Sequence, residues 1–319
     1  MARYVLKRIL LLIPTLLAVA ILIFCLMELV PGDPARMVLG SEASMEDVAV
    51  LREAMGLNRP LLTRLGEFLV NTFIRFDWGS SYVSGVNITA EIARRLPRTL
   101  TLGFCTFLLT VFIGVPLGVI AAVNQNKIPD RMCMVGALAG VSVPQFWLGL
   151  LLVLLFSVRL EWLPSSGCDT PLHYILPCIA GCIGGVANNA RQARSATLEV
   201  IRSDYVTTAR AKGISKGKVI MRHVLPNSLI PILTCCGTAL GNVCGGSVVI
   251  ETVFGIPGIG TYTMTAMNSR DYPVVRTCVV ILAAVFAVAM ILVDIAYAAV
   301  DPRIKAKYAS SAARRKKNA

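Results

Sequence analysis

Residues 205–226 read Tyr205-Val-Thr-Thr-Ala-Arg-Ala-Lys-Gly-Ile-Ser-Lys-Gly-Lys-Val-Ile-Met-Arg-His-Val-Leu-Pro226. This polar, basic, glycine-punctuated stretch lies between two long apolar runs, and it is longer than a simple reversal across a bilayer needs. It reads as two short helices lying against the membrane face. Ser203 or Asp204 is placed to cap the first at its N-terminus, and Gly213 to end it in a left-handed turn. Ser215 is placed to cap the second, which is expected to stop before Pro226. A short rigid helix held outside the membrane between two spans is a docking part, able to carry the motion of a soluble partner into the bilayer.

Working outward, the chain has 319 residues, 55 % of them hydrophobic, and a mean hydropathy of +0.69. That is too apolar for an ordinary soluble domain. Uncharged runs occupy 9–27, 99–123, 132–158, 170–190, 223–250 and 277–293. Crossing the hydrocarbon core takes about 20 apolar residues in a helix. Five runs reach or approach that length, and the last continues past Asp294, so six transmembrane helices are expected.

The net charge of +13 is informative through its placement. With the N-terminus inside, segments 1–8, 124–131, 191–222 and 301–319 are all cytoplasmic, and they hold 3, 2, 8 and 7 Lys/Arg. The short opposite loops hold only Arg159, Arg270 and Arg276. The positive-inside rule then puts both termini in the cytoplasm. Basic residues split among loops in this way do not form a nucleic-acid footprint. Arg3, Lys7 and Arg8 ahead of an apolar run resemble a signal peptide. That run is too long for an h-region, however, and no small-residue cleavage site follows it. Residues 1–30 are therefore expected to be a retained first helix.

Residues 31–96 form a polar insert on the outer side, too small for a confident independent domain. Within it, 41–56 has the pattern of a capped amphipathic helix ending at glycine, and 60–76 carries a one-sided apolar pattern. Residues 97–298 form the membrane domain, with the loop at 191–226, and 299–319 a basic tail. Small residues recur at spacing four: Gly114/Gly118, Gly136/Gly140, Gly181/Gly185 and Gly237/Gly241/Gly245. Such faces let helices approach closely in lipid, either within one chain or against a second membrane subunit.

Ionisable residues are nearly absent from the runs, apart from Glu28 near an outer end and Asp294 in the last helix, which is read as a bundle-facing hydrogen-bonding group. This scarcity argues against an ion pathway. Nine of the ten cysteines lie in predicted spans, where they act as small apolar residues. Cys168, His173, Cys178 and Cys182 gather near an outer helix end. Soft ligands there could touch a transition metal in transit, but the spacing is not that of a structural site and no metal site is assigned. Residues 251–261, Glu251-Thr-Val-Phe-Gly-Ile-Pro-Gly-Ile-Gly-Thr261, join the last two spans on the outer side. Glycines and a proline give irregular backbone, which is tolerated at membrane depth only under protein or beside a water-filled cavity. Glu251, Phe254, Pro257, Gly258 and Gly260 are placed at a translocation mouth, with a plain inter-helix loop as the alternative.

Ala209, Gly213, Leu225 and Pro226 fall at the spacing of the cytoplasmic Glu-Ala-Ala loop of binding-protein-dependent ABC importer permeases, which the chain resembles. It departs from that pattern at Thr207, Thr208 and His223, as does the dipeptide, oligopeptide and nickel branch. Arg3-Tyr-Val-Leu-Lys-Arg-Ile with Pro31-Gly-Asp-Pro-Ala35, residues 251–260, and Arg270-Asp-Tyr-Pro-Val-Val275 with Asp301-Pro-Arg-Ile304 also resemble that branch. The resemblance implies an all-α type I importer fold in a bacterial or archaeal plasma membrane. It further implies a second homologous permease, two ATPase subunits and an extracytoplasmic binding protein as partners. The coupling helix would be Ser203, Asp204, Tyr205, Ala209, Arg210, Ala211 and Lys212, closed by Gly213 and followed by Leu225 and Pro226. Ala209 and Ala211 would offer a small face to a partner groove, and Arg210 and Lys212 suit the helix C-terminus and acidic partner groups.

No phosphate-binding loop of the G-x-x-x-x-G-K-[ST] type occurs, so ATP and magnesium are expected on the partner ATPases and no cofactor on this chain. The expected role is a non-catalytic permease for di- or oligopeptides, with nickel or glutathione as the alternative cargo. An ion-coupled secondary transporter would need charged residues at mid-membrane and paired interrupted helices. An intramembrane enzyme would need a convergent nucleophile and base, whereas His173 and His223 fall on opposite sides of the membrane.

Overall fold

The computed structural model describes residues 2–40, 42–244 and 248–300. Among them the chain is helical throughout. No strand forms, and one isolated bridge joins Ser80 and Asn87. In chain order the helices are α1 (Ala2–Leu29), α2 (Pro34–Leu39), α3 (Met45–Ala54), α4 (Leu61–Val70), α5 (Ile88–Val123), α6 (Ile128–Ser142), α7 (Gln145–Leu152) and α8 (Ile175–Ile201). They continue as α9 (Asp204–Ala211), α10 (Lys216–Val219), α11 (Leu225–Cys244), α12 (Val248–Val253), α13 (Ile259–Asn268) and α14 (Tyr272–Val300).

The long helices present bare apolar side chains outward. Phe112 is 72 % exposed, Val135 68 % and Leu292 58 %. Faces of this kind are stable only in hydrocarbon. Three described helices are long and apolar enough to cross a membrane, and two bent pairs bring the number to five if each pair is one span. The described residues thus do not confirm the expected six spans. The run 132–158 breaks at Pro144, where Ile128–Ser142 meets Gln145–Arg159 at 98°. Proline cannot donate the helical hydrogen bond and pushes Val143 into an extended conformation, ψ 123°. The run 170–190 falls in α8, which is not among the qualifying helices. The helix read from residue 99 starts eleven residues earlier, at Ile88, with the Asn87 side chain accepting from the Ala90 N–H. It crosses the expected domain boundary at 97 unbroken, with Pro97 and Pro116 inside it.

Glycine notches set the packing of α5 on α8. A Cβ on Gly118 would lie 2.3 Å from the Ala190 carbonyl oxygen, and one on Gly114 2.9 Å from that of Val186. From the other side, Gly185 and Gly181 receive Thr110 and Thr106, whose methyls lie 2.8 and 3.3 Å from the positions a Cβ would take. Both glycine pairs therefore serve packing within this chain. So does Gly237, against Val293 of α14, with a Cβ only 2.4 Å from Val293 Cγ1. Gly136 has nothing within 4 Å. Gly245 lies outside the described residues, as does the tail at 301–319.

In segment 31–96, the helical patterns read at 41–56 and 60–76 both form, as shorter helices. Ser44 caps α3, its Oγ accepting the Asp47 N–H at 3.1 Å, and Gly56 closes it at φ +68°. The second pattern becomes α4 plus one π turn over Asn71–Arg75. Two polar knots fasten this segment to the bundle. Glu28 of α1 accepts from Arg64 of α4 at 2.7 and 2.9 Å and from Arg276 of α14 at 2.5 Å. Arg276 lies over the Phe24 ring at 4.1 Å. In the second knot, Asp271 accepts from the Ser81 hydroxyl and the Tyr82 N–H. Burial pushes the Tyr82 phenol up in pKa, against the pull of the Arg276 and Arg64 guanidiniums. The motif 31–34 explains itself here. Asp33 caps α2 and pairs with Arg52 at 3.0 Å, while Gly32, at φ +124°, lies directly under the Arg270 guanidinium.

Candidate functional site

At one end of the bundle, the loop end, α9 and α10 stand beside the foot of α8. Ser203 holds the N-cap position of α9, but its hydroxyl donates back to the Val200 carbonyl at 2.6 Å, so the expected side-chain cap is not made. Asp204 starts the first turn and complements the helix dipole there. At the other end, Gly213 stands at φ +78°. Its N–H donates to the Arg210 carbonyl, and the Ile214 N–H to that of Ala209, closing a Schellman motif.

Val206, Ala209, Val219 and Val224 form a small buried core, with Val200, Ile201 and Ile214 packed on it. Ala209 is 7 % exposed. It faces its own chain, which corrects the expectation that it offers a small surface to a partner. Its size is set by the room left between α9 and the helix that follows. The outward residues are Asp204, Tyr205, Thr207, Thr208, Arg210, Ala211 and Lys212.

The second helix does not stop before Pro226. From α10 the chain passes through a π turn over Ile220–Val224 straight into α11, where Pro226 is the second residue. The π turn shifts the hydrogen-bond register, Leu225 N–H donating to the Ile220 carbonyl. The Asn227 amide takes up the His223 carbonyl at 2.8 Å. The bend comes later, 49° between Lys216–Leu229 and Pro231–Gly237.

Above the loop, a cleft of about 680 Å³ opens between α5, α8, α11 and α12. Thr99, Thr106 and Thr110 of α5, Asn188, Asn189 and Gln192 of α8, and Gln145 at the start of α7 supply its polar lining. None of these carries a charge. Sequence reading missed all of them, although Thr99, Thr106 and Thr110 share one helical face, as do Asn188 and Gln192. Amides and hydroxyls both donate and accept, so this lining suits a solute that offers hydrogen-bonding groups.

The turn expected at the mouth is only partly irregular. Glu251 falls within α12, and α13 begins at Ile259, so the irregular part is confined to the residues between them. Phe254 is buried beside Gly149 of α7. Glu251 is wholly buried. Its Oε1 accepts from the Thr99 hydroxyl at 2.7 Å, and its Oε2 from the Thr261 N–H at 2.9 Å. The Ile259 N–H in turn donates to Thr99 Oγ1 at 2.8 Å. Gly258 and Gly260 allow this wrapping. A Cβ on either would lie 2.4 Å from Glu251 Oε1 or 2.8 Å from Oε2. Pro257, with Glu251, lines a second cavity of about 730 Å³ on the far side of the turn.

Other groups singled out from sequence are placed as follows. Asp294 pairs with Arg8 at 3.0 Å. His173 closes a capping box with Thr170, and Cys178 and Cys182 are buried in α8. Among the described residues, no three His, Cys, Asp or Glu side chains are grouped to hold a metal ion.

The family described as "Binding-protein-dependent transport system inner membrane component" matches residues 114–306, and the N-terminal part described for such membrane components matches residues 1–103. The chain is 41 % identical to a "Glutathione transport system permease protein GsiC" of Salmonella typhimurium, across 96 % of this chain and all of that protein. It is 42 % identical to the protein of that name from Pectobacterium atrosepticum and 40 % to that from Escherichia coli K12, with the same coverage. In fold it resembles a chain of a solved structure described as an inward-facing conformation of the MetNI methionine ABC transporter. The TM-score is 0.57 at 20 % identity, over 66 % of this chain and 96 % of that one. On this match across most of its length, the chain belongs to the family of binding-protein-dependent transport system inner membrane components, the membrane-spanning permeases of ABC importers.

Proposed function

We propose that the chain is the pore-forming permease subunit of an ATP-driven importer of glutathione. One observation carries the choice of cargo: identities of 40–42 % over 96 % of the chain to relatives named as glutathione transport permeases. The hydrogen-bonding lining of the cleft supports it through the peptide part of the molecule. Glutathione is a small peptide rich in amide groups, and Asn188, Gln192 and Gln145 can pair with amides from either side. Di- and oligopeptides share that chemistry and are the competing cargo.

In this reading both termini are cytoplasmic and segment 31–96 is extracytoplasmic. A binding protein delivers substrate there, and a second permease completes the cleft. The complex holds two ATPase subunits, and the loop at 191–226 docks in a cleft of one of them through Tyr205, Thr208, Ala211 and Lys212. ATP and magnesium are held by those subunits.

The test is uptake of labelled glutathione into membrane vesicles carrying the complete transporter with its binding protein. ATP-dependent, saturable uptake, outcompeted by unlabelled glutathione and weakly by dipeptides, is expected. Uptake of dipeptides or nickel in place of glutathione would overturn the choice of cargo. Absence of any ATP-dependent uptake would overturn the permease role proposed for this assembly.

A further inference from the structure

The cleft and the second cavity approach each other across a single contact. Ile250 lines the cleft and the next residue, Glu251, lines the cavity beyond it. Thr99, which also lines the cleft, is hydrogen bonded to Glu251. The wall between the two spaces is therefore the junction of α5 with the α12–α13 turn.

That junction is unevenly built. On the turn's own side, Glu251 Oε2 is held by the Thr261 N–H. Gly258 and Gly260 press directly on the carboxylate. Across to α5 there are two polar links, both through one hydroxyl: Thr99 to Glu251 and Ile259 to Thr99. If α5 parts from the turn, the two Thr99 bonds break together with the apolar packing that joins Leu102 of α5 to Ile250 and Ile256, while Glu251 Oε2 keeps the Thr261 N–H. The turn then keeps its own tie to the carboxylate in both arrangements, as a two-position element requires.

We infer that the Thr99–Glu251 contact is the gate between the cleft and the outer cavity. Glu251 keeps the turn in shape, and Thr99 is the releasable half. Both are positioning residues, and the inference rests on the cleft being part of the substrate path.

The experiment uses the complete transporter in right-side-out vesicles. Cys235 lines the cleft and serves as a native reporter. A membrane-impermeant maleimide is added from the side of segment 31–96, and modification of the Cys235 peptide is followed by mass spectrometry. In the resting wild-type complex this modification should be slow. Thr99→Val keeps the shape but loses both bonds, and should speed it about tenfold or more, as expected when two hydrogen bonds holding a closed state are removed. Thr99→Ser keeps the hydroxyl and should restore the slow rate. Only protein co-purifying with the ATPase subunits is scored, and Thr99→Ala replaces the valine variant if that one fails to assemble. Equal Cys235 rates in wild type and in Thr99→Val (or its alanine replacement), with uptake intact, would overturn the gate. So would a wild-type rate already as fast as that of the variant. A wild-type complex that labels as expected but takes up nothing would count against the proposed function alone.

Discussion

Arg194 grips Asp130 with two hydrogen bonds, Nε to Oδ1 at 2.6 Å and Nη2 to Oδ2 at 2.8 Å. This fork ties the lower part of α8 to the start of α6. The same carboxylate accepts the Asn126 N–H at 2.8 Å, holding the turn where Asn126 stands at φ +63°. Asp130 is 3 % exposed and the Arg194 side chain 25 %, so removing the carboxylate leaves a guanidinium that water reaches only in part. Asp130→Ala should cost about 2–3 kcal/mol, and Arg194→Lys, which keeps the charge but not the fork, about 1 kcal/mol. Thermal unfolding of the purified protein in detergent should rank wild type above Arg194→Lys above Asp130→Ala. An Asp130→Ala protein as stable as wild type would refute this.

Within the loop, two substitutions to glutamate should have different consequences. Ala209→Glu forces a charge into the core of Val206, Val219 and Val224, and should unfold the loop locally. Ala211→Glu changes only the outward face and should leave the loop folded while weakening ATPase docking. Limited proteolysis should cut 191–226 faster in the first variant alone. Co-purification of ATPase subunits should fall in both. Gly213→Val meets no neighbour within 4 Å, so its cost is backbone strain alone, about 1–2 kcal/mol.

The glycine notches give a graded series. Gly118→Ala puts a methyl 2.3 Å from the Ala190 carbonyl oxygen and must push α5 off α8. Overpacking of this kind costs about 1–3 kcal/mol. Gly140→Ala meets ordinary contacts at 3.6 Å and Gly136→Ala none within 4 Å, so both should be tolerated. Folded yield and detergent stability should drop only for Gly118→Ala.

The knot at Glu28 should outweigh surface pairs. Glu28→Gln leaves Arg64 and Arg276 facing each other with side chains only 15 % and 9 % exposed, and should cost about 3–5 kcal/mol. Glu67→Gln breaks a pair whose side chains are 59 % and 50 % exposed, worth at most about 1 kcal/mol. Protease should release segment 31–96 readily from the first variant and slowly from the second.

The sequence made the helical class and the loop legible, because apolar run length and Gly213 act locally. It also marked a capped helix within 41–56; the structure makes the cap Ser44, whose partner Asp47 is three residues away. What it hid depends on contacts distant in sequence. The burial of Ala209 follows from Val219 and Val224, which belong to the next helix. Pro226 reads as a stop until the π turn before it is seen. Pro144 lies in an uncharged run, and hydropathy counts residues without sensing a 98° corner. The cleft residues are ordinary threonines and amides that gain meaning only when α5 and α8 face one another. Thr99 and Glu251, 152 residues apart, meet only in the folded chain.

One feature of α8 has a mechanical consequence. Its 27 residues run without a break from beside the cleft to Ile201, two residues before Ser203. A helix of that length spans about 40 Å and resists bending. With its notches filled by Thr106 and Thr110, and α5 seated in return on Ala190, it cannot slide along its neighbour by less than a whole notch. A sideways push on α9 therefore arrives at Asn188 and Gln192 as a tilt of one stiff lever. How far the cleft wall swings is then fixed by where along α8 the fulcrum lies, and the Arg194–Asp130 fork sits close to the lever's short arm.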